Sequence, residues 1–296
     1  MIVYTSNAEP LRTRPASRVR ALLESFPVRV ALAVLLLVAA GGSVFAAPQA
    51  ELWPRWEAHD ADSTARVDHA EWAAFLADHL VTDHPSGVNL IDYGAVPAAD
   101  RNRLDAYVAY LEDVPVSSLN RDEQLAYWIN LYNAATVKLI LDNYPVDSIR
   151  DIRPGVFATG PWDMELLEVE GIALTLNDVE HRIIRPIWQD NRIHYVVNCA
   201  STGCPNLHPE PITPANRERV FDAAARAYVN HPRGVRFEGS RLVLSSIFEW
   251  YVDDFSGDLE GVVDHLVGYV DSQTAERLRA HSGRVQYEYD WSLNEP

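Results

Sequence analysis

The chain has 296 residues, of which 25 are basic and 42 acidic, for a net charge of −17. So large an acidic excess argues against nucleic acid and against an anionic membrane surface as partners, because both carry the same sign. Lys138 is the single lysine, which leaves almost no candidate for a catalytic ε-amino group, and no cofactor is expected.

Five arginines (Arg12, Arg14, Arg18, Arg20 and Arg29) precede an uncharged apolar run from Val30 to Ala40, and Val44-Phe45-Ala46 follows. A positive segment, an apolar run too short to span a bilayer comfortably and a small-x-Ala site together predict a signal peptide over 1–46. An uncleaved anchor is the alternative; either reading places the folded part in the periplasm or outside the cell, with no membrane contact beyond that segment. Without those five arginines and two glutamates (Glu9, Glu24), 20 basic and 40 acidic side chains remain, a net −20.

The remainder, 47–296, suits one domain with ample length for a core, divided into an N-terminal helical part over 47–115 and a core over 116–296. Residues 51–80 read as two helical pieces around an acidic loop. A helix follows from Asp100 to about Glu112, with Leu104, Tyr107, Val108 and Leu111 on one face. Asn120 with Glu123 three residues on marks the start of a long helix that Pro145 closes after Asn143. This helix is apolar nearly all round, so it should be central and buried.

Residues 165–175 read as a hairpin turning at Glu170-Gly171. A short helix with Asn177 as N-cap should end at Pro186. An apolar strand, 193–198, then leads into a loop that holds both cysteines, Cys199 and Cys204. A helix opening at Thr213-Pro214, a hairpin across 234–245, an amphipathic segment Ile247 to Phe255, two helices to about His281 and a strand 284–289 complete the chain. Helices and hairpins without regular βαβ alternation indicate α+β, with the central helix, about 120–143, packed on a small, mostly antiparallel sheet.

Four stretches carry a family resemblance: Gln124-Leu-Ala-Tyr-Trp-Ile-Asn-Leu-Tyr-Asn-Ala, Leu174-Thr-Leu-Asn-Asp-Val-Glu-His181, Arg192-Ile-His194-Tyr-Val-Val-Asn-Cys199-Ala-Ser-Thr-Gly-Cys204-Pro, and Tyr289-Asp-Trp-Ser-Leu-Asn294. On these the chain resembles the family known as domain of unknown function 547, in that family's order and across most of 47–296. The resemblance implies a secreted or periplasmic domain and brings no settled activity. Some plant relatives are joined to glutaredoxin-like or leucine-zipper segments, which suggests thiol chemistry or scaffolding.

Chemistry should concentrate around the cysteines. In an oxidising compartment a pair separated by four residues suits a disulfide, worth at most about 2 kcal/mol for so short a ring. A reactive thiolate is the functional reading, with Cys204 preferred as nucleophile because it stands between Gly203 and Pro205, and Cys199 expected to be buried. His181 is the first candidate for the base and His194 the second. Strand alternation puts His194 and Asn198 on the face opposite Cys199. Asn130 and Asn133 share a face of the long helix and could orient an imidazole or donate to a substrate carbonyl.

The leading expectation is therefore a cysteine-dependent hydrolase or acyl transferase acting on an amide or ester of an unknown small molecule or peptide. The alternatives are a non-catalytic binding or scaffold domain with a Cys199–Cys204 disulfide, and a metal site built from Cys199, Cys204, His208 and His194. Asp60, Asp62, Thr64, Asp68 and Glu71 match calcium-loop spacing, but Ala65 stands where the sharp turn requires glycine, so calcium is discounted there.

Overall fold

The computed structural model describes residues 47–155 and 158–296, and the signal peptide expected over 1–46 lies outside them. A short 3-10 turn, Pro54–Glu57, precedes helix α1 (Ala70–His79). Strands β1 (Leu80–Val81) and β2 (Leu90–Ile91) form a small antiparallel ladder before α2 (Ala98–Glu112) and the long α3 (Arg121–Asn143). Asn120 caps α3, its extended backbone ending the preceding loop and its Oδ1 accepting the Glu123 amide at 3.0 Å. The Glu123 carboxylate does not close the box; it turns away and accepts the Val67 amide at 2.8 Å. The expected all-round burial of α3 holds, with Trp128 1% exposed and edge-on to both Trp56 and Tyr127.

Next come the antiparallel pair β3 (Leu167–Val169) and β4 (Ile172–Leu174). Glu170 and Gly171 both adopt positive φ, 51° and 74°, as the tight turn demands. The following helix departs from expectation. It is a π-helix over Asp178–Ile184 that runs without a break into α4 (Arg185–Trp188), carrying Pro186 inside it rather than stopping there. Its start is held by Thr175 and Asp178, which cap one another's amides at 3.0 Å, and Asn177 is already in helical conformation.

Residues 193–198 form no strand. Asn191–Tyr195 is a 3-10 helix, and the chain then runs irregularly into the cysteine loop. Every residue from Ile193 to Asn198 is buried, so neither face of the segment meets solvent. An apolar run of that kind carries no period and is compatible with several conformations.

Helix α5 (Arg217–Val229) begins after a turn at Thr213–Asn216, a few residues later than its sequence suggests. Strands β5 (Val235–Glu238), β6 (Arg241–Ser245) and β7 (Val285–Glu288) make a three-stranded sheet, antiparallel between β5 and β6 and parallel between β6 and β7. Between β6 and β7 lie α6 (Ile247–Trp250), a 3-10 turn Val252–Phe255, α7 (Leu259–Leu266) and α8 (Ser272–Arg279).

The architecture is α+β, but α3 does not pack on this sheet. It lies against α2 and the 178–184 helix in one hydrophobic cluster that also takes in Trp56, Trp72 and Phe75. The sheet belongs to a second cluster, where Leu242 and Leu244 meet Tyr228 and Val229 of α5, Phe248, Phe255, Val262 and Leu278. The two clusters meet at the segment before the cysteines: Tyr195 belongs to the second, while Ile193 and Val196 belong to the first.

Candidate functional site

The cysteine loop is fixed from three sides. From α3, Asn133 brackets it, accepting the Asn198 amide and donating to the Val196 carbonyl, both at 2.8 Å. The C-terminal segment is zipped along its edge: Thr202 N–H donates to the Ser292 carbonyl, Gly203 N–H to the Asp290 carbonyl, and Asn294 N–H to the Ala200 carbonyl. From the last turn of α5, Tyr228 donates to the Gly203 carbonyl at 2.7 Å, and from just beyond that helix Arg233 Nη1 donates to the Thr202 carbonyl at 2.8 Å.

Two backbone features are specific to this loop. Ala200 sits at φ 56°, left-handed for a residue with a Cβ, stabilised by its amide donating to Asn198 Oδ1 at 2.9 Å. At Gly203 a Cβ would lie 2.7 Å from the Asp290 nitrogen and 2.8 Å from its oxygen. Gly203→Ala should therefore cost about 1–3 kcal/mol by pushing loop and C-terminal segment apart. Urea unfolding reads that loss, and an unchanged midpoint would show that the contact relaxes freely.

Within this frame both cysteines are free thiols. Their exposure is the reverse of expectation: Cys199 is half-buried, whereas Cys204 is 4% exposed because Tyr228 and the C-terminal segment close over Gly203. The Cys204 sulfur packs under its partner, accepting the Cys199 amide at 3.1 Å. Cys199 Sγ lies 3.1 Å from the Tyr289 hydroxyl and 3.2 Å from the Ser201 hydroxyl. The Cys204 thiol, then these two hydroxyls, stabilise a Cys199 thiolate and hold its pKa below the ordinary value against the opposing effect of burial. Burial pushes the Cys204 thiol well up, and a neighbouring Cys199 charge adds to the rise.

Neither sulfur has an imidazole among its hydrogen-bond partners. The histidines belong to an adjoining ionic cluster. Arg185, its side chain 3% exposed, forms a two-pronged pair with Asp254, Nε to Oδ2 at 2.7 Å and Nη2 to Oδ1 at 3.1 Å. Its Nη1 donates to the Pro48 carbonyl and to His181 Nδ1, the latter at 3.0 Å. Since a guanidinium only donates, His181 Nδ1 must accept, so the ring proton sits on Nε2. His181 thus presents an N–H, not the lone pair a general base needs, and burial lowers its pKa to about 4.

His194 is oriented differently. Its Nε2 donates to Asp254 Oδ2 at 2.6 Å and its ring stacks on Tyr251, with centroids 4.0 Å apart. Its Nδ1 is buried without a hydrogen-bond partner, 3.9 Å from Glu180 Oε1. Because Asn191–Tyr195 is helical rather than extended, the expected alternation of His194 away from Cys199 does not apply.

Glu180 stands between the two imidazoles, its Oε1 3.9 Å from each Nδ1. Burial alone would raise its pKa, but His181, His194, Arg185 and the Tyr132 hydroxyl outweigh it and keep the carboxyl ionised. Asp254 is likewise held well below the usual carboxylate range, its burial offset by hydrogen bonds from His194 and Arg185. The charge on Glu180 is felt at Cys199, and a Cys199 thiolate is felt at Tyr132 and Tyr251, so the thiol pair and the ionic cluster form one electrostatic site.

Residues 116–229 match the family described as "Protein of unknown function, DUF547". The likeness is confined to that segment, which spans well under half of the chain. No curated protein and no solved structure matches it. The matched segment contains Glu180, His181, Arg185, His194 and both cysteines, whereas Tyr251, Asp254 and Tyr289 lie beyond it and reach the site only through the fold.

The other sequence candidates fall elsewhere. Both amide groups of Asn130 are spent on the Ile212 backbone, at 2.8 and 3.0 Å, and those of Asn133 on the cysteine loop, so neither orients an imidazole. Their amides are buried, and backbone groups are the partners that α3 brings them. His208 engages the Glu210 backbone through Nδ1. In the acidic loop, Asp60 accepts the Asp62 amide, Asp68 accepts the Ala70 amide, and Glu71 pairs with Arg103. Among the described residues no group of three or more histidine, cysteine, aspartate or glutamate side chains converges on a metal-sized site.

Sequence reasoning missed Arg185, Tyr251, Ser201 and Tyr289. His181 and Arg185 at helical i, i+4 spacing were the available signal; nothing local marks the other members.

Proposed function

We propose that this domain is a thiol enzyme whose nucleophile is Cys199, and that its chemistry is thiol–disulfide exchange with Cys204 as the resolving thiol. The observation that carries this reading is the pairing itself. A half-buried sulfur between two hydroxyls lies beside a buried sulfur that already touches its backbone amide. The Cys199 thiolate attacks a disulfide R–S–S–R′, forming Cys199–S–S–R and releasing R′–S⁻. Cys204 then loses its proton and attacks the Cys199 sulfur, releasing R–S⁻ and leaving a Cys199–Cys204 disulfide. The two electrons given up by the thiol pair reside in the two released thiols. The basic and apolar pattern of residues 1–46 supports an extracytoplasmic setting, where disulfide partners are plentiful.

A second reading, acyl transfer from an amide or ester to Cys199, is favoured by one feature: the Asp254–His194 pair leaves His194 Nδ1 buried and unpartnered, as an acid–base imidazole would be. It requires that nitrogen to come within reach of the sulfur when substrate binds.

Oxidised glutathione and intact mass separate the two. Under exchange, the reduced protein loses about 2 Da on forming the internal disulfide, and Cys204→Ser traps a mixed disulfide with glutathione on Cys199. Iodoacetamide should modify Cys199 long before Cys204. If no glutathione ratio forms the internal disulfide, exchange is excluded; if a Cys204→Ser protein also retains full ester or amide turnover, the acyl-transfer reading replaces it.

A further inference from the structure

Beside the cysteine loop lies a cavity of about 210 Å³, lined by Asn89, Asn206, His208, Tyr228 and Arg233 and walled by alanines of α5. Arg233 is the unusual member. A guanidinium has five N–H donors, and here one Nη1 hydrogen goes to the Thr202 carbonyl and one Nη2 hydrogen to Asn206 Oδ1 at 2.6 Å. That leaves three N–H groups without an acceptor, including Nε–H, which is buried. Its charge stacks over the Tyr228 ring at 5.3 Å and has no carboxylate in an ion pair among the described residues. In a chain with 42 acidic and 25 basic side chains, most structured arginines here find a carboxylate. A largely desolvated guanidinium left without one is costly unless something else supplies the anion.

We propose that this cavity is a binding site for a small anion, a carboxylate or phosphate group carried on a short apolar body, with Arg233 as its counter-charge. The oxygens take the unused guanidinium N–H groups. The apolar part lies along Ala223, Ala224 and Ala227. His208, whose Nδ1 is engaged by the Glu210 backbone, has Nε2 left for the ligand. The site is distinct from the thiol pair but joined to it, because Arg233 Nη1 also holds the Thr202 carbonyl two residues before Cys204. Occupancy should therefore be felt in the loop.

The test is calorimetric titration of the full chain at low ionic strength with inorganic phosphate and, separately, with butyrate. Saturable one-to-one binding is expected for at least one of them, weakened at least about tenfold by Arg233→Gln. Arg233→Gln also removes a loop contact, so Ala227→Leu, at an exposed helix position, provides the second variant: it fills the cavity with the arginine intact and should weaken binding to a similar degree. Phosphate binding alone indicates a phosphate-bearing ligand, and butyrate binding alone a carboxylate. Absence of saturable heat with either probe, or binding that both substitutions leave unchanged, overturns the proposal without touching the thiol chemistry.

Discussion

Asp254→Ala is expected to destabilise the domain by about 3–5 kcal/mol, the cost of leaving one partner of a buried ion pair uncompensated. The carboxylate satisfies three donors at once: Arg185 Nε at 2.7 Å, Arg185 Nη2 at 3.1 Å and His194 Nε2 at 2.6 Å. Without it, the Arg185 charge stays enclosed, held by the Pro48 carbonyl, a neutral imidazole nitrogen and the Tyr251 ring. Glu180, whose charge also acts on Arg185, is not one of its ion-pair partners. For a domain of this size the loss corresponds to a fall in Tm of roughly 10 °C. Asp253→Ala, one residue earlier and exposed, should stay within about 0.5 kcal/mol and serves as the control. Chemical denaturation followed by circular dichroism distinguishes the two.

The same variant bears on mechanism. Under thiol–disulfide exchange, Cys199 draws on Ser201, Tyr289 and Cys204, none of which depends on Asp254. Its alkylation rate should then be nearly unchanged at temperatures where the variant is folded. Under acyl transfer, losing the group that orients His194 removes turnover while leaving the thiol alkylatable.

Those contacts also mark where sequence reading stops. Helix α3 was legible because its signals are local: Asn120 caps, the apolar positions run without interruption, and Pro145 terminates. The β3–β4 hairpin was legible for the same reason, since Glu170-Gly171 can only be a tight turn. The two misreadings have a common cause. A π-helix that carries Pro186 and a wholly buried segment at 193–198 are both set by what surrounds them, and neither leaves a periodic trace. The site divides likewise. Cysteines and histidines announce themselves by type, so their loop was found. Which sulfur is buried, however, depends on the Tyr228 and Asp290 contacts with Gly203. The partner of Arg185 is 69 residues away, and the hydroxyl at Cys199 comes from 90 residues away. No spacing rule reaches that far.

Between pH 7 and pH 4 the domain should lose stability steeply, and buried histidines are the first cause. Burial lowers the pKa of His69, His181 and His265 to about 4 from the ordinary 6.5. Each has a reason to stay neutral. His69 lies 2.6 Å from the Tyr107 hydroxyl through Nδ1, and its Nε2 is buried with no acceptor. Protonating His181 would end the hydrogen bond from Arg185 and set two cations side by side. His265 is paired through Nε2 with the Tyr195 hydroxyl at 2.8 Å. A depressed folded-state pKa means that the unfolded chain binds more protons throughout the window, so stability rises with pH there. The contribution is complete above pH 6.5 and is lost as pH falls towards about 4. Each histidine accounts for up to about 1.4 kcal/mol per pH unit within the window. Glu180 and Asp254, held below their ordinary values, add their losses only at still lower pH. Urea midpoints measured from pH 7.5 to 4.5 should therefore fall continuously from near pH 6.5, and His69→Gln should flatten the slope by close to one proton. A midpoint that stays level down to pH 5 would mean that these rings accept protons in the folded state as readily as in water, which the burial around them forbids.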